Sequence, residues 1–86
     1  MTISETIEKA ILSEIAVDSD KKSLDPDEDL LEEGIIDSLG IVKLVLLMEE
    51  RFGIKVDDED VVPENFQTLG SMVRFVEQKM QANQGG

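Results

Sequence analysis

Ser38 stands in Asp37-Ser38-Leu39-Gly40, between an acidic stretch and an apolar run, and three uses of its hydroxyl are worth weighing. As a helix N-cap it would accept a hydrogen bond from an amide of the first turn. As a nucleophile it would need a base, and Asp-Ser-Leu does occur inside the Gly-Asp-Ser-Leu signature of one esterase class. Here Ile36 replaces the glycine and the chain has no histidine, so a Ser-His-Asp hydrolase is excluded. A nucleophile elbow also wants glycine two residues to either side; Gly40 meets that requirement and Ile36 fails it. As an acceptor of a phosphate-linked group, Ser38 would place a phosphodiester beside unpaired helix amides and the positive end of the dipole. On the residues alone the cap and the acceptor both stay open, and the cap is the simpler.

The acidic loops raise a different chemistry, calcium binding. The best candidate begins at Asp18, with Asp18 and Asp20 at positions 1 and 3. Position 5 is Lys22, position 6 is Ser23 where glycine is required, and position 12 is Asp29 rather than glutamate. No metal site is expected. Zinc and disulfide frameworks are excluded by the absence of cysteine and histidine.

The elements that must position Ser38 follow from periodicity and caps. Thr2-Ile3-Ser4-Glu5 reads as a capping box, and Ile3, Ile7, Ala10, Ile11 and Ile15 recur at helical spacing, predicting a helix over about 3–16. From Val17 to Asp37 periodicity stops; Asp25-Pro26 breaks the chain, Leu24, Leu30, Leu31, Ile35 and Ile36 are its expected anchors, and a short helical turn fits Asp29–Glu33. A loop that long in a small domain is usually functional or mobile. The strongest helix runs from Ser38 to Phe52 with Gly53 as its stop. Its core face is Ile41, Leu44, Val45, Met48 and Phe52. A second apolar stripe, Leu39, Val42 and Leu46, lies nearly opposite beside Lys43 and Glu50, and is a candidate for partner binding.

A brief third helix fits within 58–66, and Thr68 can cap a last helix whose apolar face is Leu69, Met72, Val73, Val76 and Met80. The expected fold is all-α, a small four-helix bundle of three main helices and one short one with a long first loop. Residues 1–80 form the domain, and 81–86 a flexible tail. The terminal Gly85-Gly86 invites comparison with ubiquitin-like modifiers, but that fold needs several strands and this chain offers only Ile54–Val56 in extended form.

Composition narrows the function. Twenty acidic against eight basic side chains give a net charge of −12, which repels nucleic-acid phosphates and anionic membranes. No run of about 18 apolar residues exists to span a bilayer, and no basic-then-apolar leader opens the chain. A cytoplasmic, monomeric protein without membrane insertion is expected. A chain with no histidine or cysteine is better suited to being handled by enzymes than to being one.

The chain resembles the acyl and peptidyl carrier proteins over roughly residues 3–80. The resemblance is carried by Leu30-Leu31-Glu32-Glu33-Gly34-Ile35-Ile36, then Asp37-Ser38-Leu39, then a helix ending Met48-Glu49-Glu50-Arg51-Phe52-Gly53-Ile54. It implies that Ser38 bears 4′-phosphopantetheine taken from coenzyme A through a phosphopantetheinyl transferase, with Asp37 assisting that enzyme's magnesium site. The arm would shuttle acyl or aminoacyl thioesters between a loading ligase and downstream transferases or synthases, docking through Leu39, Val42, Lys43 and Leu46. Gly40 and Lys43 stand where fatty-acid carriers usually have acids, which favours a specialised or aminoacyl cargo; closer approach by a partner is one reason for Gly40. The alternative is an acidic helical interaction or calcium-binding module with no covalent cofactor.

Overall fold

The computed structural model describes residues 2–16 and 22–85, with side chains through residue 82. Asp18 and Asp20 of the candidate calcium loop lie outside the described residues. Helix α1 (Ile3–Ala10) begins with the capping box expected of Thr2 and Glu5, in which Thr2 Oγ1 accepts the Glu5 amide at 3.1 Å. The chain then widens into a π-helical segment, Ile11–Ile15, closed by the Ala16 amide donating to the Ile11 carbonyl. The single helix expected over 3–16 is therefore two kinds of turn.

Helix α2 (Ser38–Phe52) ends at Gly53, which adopts the left-handed conformation and donates its amide to the Glu49 carbonyl. The third helix expected in 58–66 is split. A 3₁₀ turn covers Asp58–Asp60, and a single α-turn, α3 (Pro63–Phe66), starts on a proline that needs no donor there. Helix α4 (Leu69–Gly85) starts as expected on Thr68, whose Oγ1 accepts the Ser71 amide at 3.0 Å. It continues well into the stretch 81–86 read as a tail, where Gln81 and Ala82 are exposed and bury nothing. Among the described residues there are no strands.

The core is one cluster fed by all the helices but not by the 3₁₀ turn: Ile7 and Ile11 from the first helical stretch, Leu44 and Met48 from α2, Phe66 from α3, and Leu69, Met72 and Val76 from α4. Phe75, outside the apolar face assigned to the last helix, is also buried and meets Phe66 with ring centroids 5.8 Å apart. With few aromatics, aliphatic burial carries most of the stabilisation, at about 25 cal/mol per Å².

The described part of the long loop is fastened at three points. Of its five expected anchors, Leu24, Leu30 and Ile36 are buried, and Leu31 and Ile35 are partly buried against the core. The Glu8 carboxylate accepts the Leu24 amide at 2.8 Å, the Gln67 carbonyl accepts the Leu30 amide at 2.6 Å, and the Pro26 carbonyl accepts the Gly70 amide at 3.1 Å. Those bonds tie the loop to α1 and to the α3–α4 junction, and so hold the approach to Ser38 in place.

Candidate functional site: the first turn of helix α2

The approach to Ser38 is built by a helical turn at Leu30–Glu33 and its termination. Asp29 Oδ1 accepts the Glu32 amide at 2.9 Å and starts the turn. Gly34, at φ 76°, ends it: its amide donates to the Leu31 carbonyl, and the Ile35 amide donates to Leu30. Those two bonds form a Schellman motif, which a left-handed residue makes possible and for which glycine carries no Cβ penalty. The two positions whose apolar side chains accompany such a motif are Leu30, buried in the core, and Ile35, partly buried against it. The reversal aims Asp37 and Ser38 outward while Ile36 stays buried. Because Asp29 is engaged in the turn, position 12 of the calcium reading is used structurally. Among the described residues no three acidic side chains gather as a metal cage.

Asp37, not Ser38, is the N-cap. Its backbone is extended and its Oδ1 accepts the Gly40 amide at 2.8 Å, while Ser38 is the first helical residue. The reading of Ser38 as a cap is therefore overturned. Among the described residues the Ser38 hydroxyl has no hydrogen-bond partner, and the residue is exposed. A hydroxyl that is exposed, unengaged and seated over the positive end of a fifteen-residue helix fits a phosphodiester well. No acid lies in the first turn to oppose it beyond the capping carboxylate.

Gly40 is explained from within. A Cβ there would lie 3.1 Å from Cγ2 of Ile15 and 3.1 Å from Cγ2 of Ile36. The end of the π-helical segment and the end of the loop thus close over the first turn of α2, and any larger residue would have to push both isoleucines back. The idea that Gly40 makes room for a partner is replaced by internal packing.

Farther along α2 the two stripes separate cleanly. Leu44 and Met48 are each 1% exposed, whereas Leu39, Val42 and Leu46 are 73%, 56% and 60% exposed. Lys43 is exposed among them, and it is the only charged residue from Ser38 through Met48. Three large aliphatic side chains left in water beside an accessible hydroxyl make an apolar platform at the attachment candidate.

Comparison with known proteins identifies the family. The family profile described as "Phosphopantetheine attachment site" matches residues 5–76. The chain is 29% identical over 79 residues to the acyl carrier protein of Solidesulfovibrio magneticus, covering 92% of this chain and 96% of that protein. It is 35% identical over 60 residues to the acyl carrier protein of Nitratidesulfovibrio vulgaris, covering 70% and 76% respectively. Among solved structures it resembles a chain from the crystal structure of an FAD-dependent dehydrogenase, with a TM-score of 0.64 and 30% identity, covering 86% of this chain and 97% of that one.

Proposed function

The chain belongs to the phosphopantetheine-binding carrier proteins, a non-catalytic family, and on that premise we propose that Ser38 is the residue that bears the arm. The observation that carries the assignment is the division of labour at the helix start. Asp37 caps, so the neighbouring hydroxyl is left exposed and without a partner. The transfer joins Ser38 Oγ to the phosphorus of the phosphopantetheine half of coenzyme A as the pyrophosphate bond breaks, and the adenosine-bearing half leaves. The base that takes the serine proton comes from the transferase, since this chain has no histidine to supply one. Asp37, one residue away, is placed to help in that enzyme's magnesium site with the oxygen the Gly40 amide leaves free.

The bound group supplies a terminal thiol that carries cargo as a thioester, which is why a chain without cysteine can do sulfur chemistry. This chain's own contribution is to present the arm and to be recognised. Leu39, Val42 and Leu46, with Lys43, form the face on which a loading ligase and later transferases or synthases dock. The near-neutral character of that face, in a chain of net charge −12, favours a specialised acyl or aminoacyl cargo over bulk fatty-acid synthesis. A cytoplasmic monomer working on the coenzyme A pool fits the same reading. No helix among the described residues is long and apolar enough to cross a membrane.

Intact-mass measurement tests the assignment. Incubated with coenzyme A, magnesium and a broad-specificity transferase, the protein is expected to gain the mass of one phosphopantetheine, and Ser38→Ala none. An equal gain by Ser38→Ala, or none by the wild type, would remove Ser38 from the site.

A further inference from the structure

Two parallel rows of side chains run up the exposed side of α2 from its start: Ser38, Val42 and Leu46 on one, and Leu39, Lys43 and Leu47 on the other, each stepping by four residues. Both rows lead into an open groove of about 460 Å³ between α2 and the π-helical segment, lined by Ser13, Glu14, Lys43, Leu46 and Leu47. We infer that this groove is a resting site for the loaded end of the arm, and that it is matched to a cargo bearing a free ammonium group, an aminoacyl thioester. The inference rests on the proposed attachment at Ser38 and goes beyond it to the class of cargo.

Reach, volume and charge agree. From Ser38 to Leu46 is eight residues, about 12 Å along the axis at the rise of an α-helix. The arm is built of a phosphate, a pantoate, a β-alanine and a cysteamine unit, equivalent to roughly four extended residues or about 14 Å. The groove lies within the range of volumes that hold small ligands. Its floor, Leu46 and Leu47, suits methylene and methyl groups, while its walls carry opposite charges on separate elements. Among the described residues no ion pair joins Glu14 to Lys43, and both are exposed. Glu14 is therefore available to accept from an ammonium, and Lys43 to donate to the carbonyl oxygens of the arm. Ser13 Oγ already donates to the Lys9 carbonyl at 2.6 Å, so it faces the groove as an acceptor. A plain hydrocarbon chain would find one carboxylate and one ammonium at the groove's rim and would desolvate both without pairing either.

The test compares two nearly isosteric cargoes. Wild type and Glu14→Gln are loaded with alanyl or propionyl arms from coenzyme A analogues in which an amide replaces the thioester, and full loading is checked by mass. Amide chemical shifts are then recorded. With the alanyl arm, shifts are expected at Ser13, Glu14, Lys43 and Leu47 of the wild type, at least threefold larger than with propionyl, and reduced to the propionyl level in Glu14→Gln. Alanyl shifts confined to residues 37–40, or equal shifts with both cargoes, would overturn the resting site while leaving the carrier reading intact. Failure to gain mass at Ser38 would overturn the carrier reading and this inference with it.

Discussion

Asp37 Oδ1 accepts the amide of Gly40 at 2.8 Å, and Ser38, the residue proposed to bear the arm, is thereby left without a capping role. Asp37→Ala is expected to cost about 0.5–2 kcal/mol, the usual loss for a helix cap. Ser38→Ala should stay within about 0.5 kcal/mol, as a surface change that removes no bond. Urea denaturation of the two variants decides between them, and a larger loss for Ser38→Ala would return the capping role to the serine.

Gly40 gives a prediction that runs against helix propensity. Alanine in a helix interior is favoured over glycine by about 0.5–1 kcal/mol. Here the added methyl meets Ile15 and Ile36 at 3.1 Å each, and overpacking of that kind typically costs about 1–3 kcal/mol. Gly40→Ala should therefore be net destabilising. Part of the loss should disappear when measured in an Ile15→Ala background, giving a coupling energy in a double-mutant cycle. Zero coupling would mean that the two residues do not share the space.

Leu44 and Val42 are two residues apart on α2 and should behave as opposites. Leu44→Ala opens a cavity in the core and is expected to cost about 2–5 kcal/mol. Val42→Ala leaves no cavity and should cost less than about 1 kcal/mol. On the proposed docking face its effect should fall instead on loading of the phosphopantetheinylated protein by a cargo-loading enzyme, as a raised KM. Denaturation curves paired with a loading assay separate the two, and unfolding of Val42→Ala alone would reverse the assignment of faces.

Lys79 on α4 pairs with Asp60, lies 3.3 Å from Asp57, and sits 5.9 Å from the centroid of Phe75, so it ties the 3₁₀ turn to the last helix. Its hydrogen bond, helped by the Asp57 amide, holds the Asp60 carboxyl below the ordinary carboxylate value. In return the bond to Asp60 raises Lys79 above its ordinary value, against the opposing effect of burial. A depressed carboxylate stabilises the fold above its unfolded pKa and loses that contribution as pH falls through the lower folded one. A raised lysine contributes below its unfolded pKa and loses that contribution as pH rises through the higher folded one. The stability difference between wild type and Lys79→Gln should thus be flat from about pH 5 to 9 and vanish in strong acid. Thermal melts across that range check it, and a difference that grows below about pH 4 would contradict the pairing.

The residues by themselves determined a good deal. Helix α2, its stop at Gly53, the capping box at Thr2 and the cap at Thr68 are set by interactions that reach no farther than four residues, and such signals can be read along the chain. The sorting of Leu44 and Met48 from Leu39, Val42 and Leu46 was equally local, because helical geometry alone puts them on opposite sides. Net charge and the absence of histidine and cysteine argue along the chain itself against a Ser-His-Asp triad, a Cys/His zinc site and nucleic-acid binding.

What only the tertiary structure decided involves residues that packing brings together. Asp37 and Ser38 are both good caps by type, and the Schellman reversal at Gly34, which fixes the extended backbone of Asp37, chose between them. The sequence offers closer approach by a partner as one reason for Gly40, whereas the fold places Ile15, 25 residues earlier, against it. Phe75 left the solvent because Phe66 and α3 cover a side of α4 that helical periodicity alone leaves exposed. The groove lined by Glu14 and Lys43 likewise brings together the π-helical segment and α2, which are distant along the chain. Local propensity acts over one turn of chain, whereas burial is a property of the assembled core, and the proposed site at Ser38 draws on both.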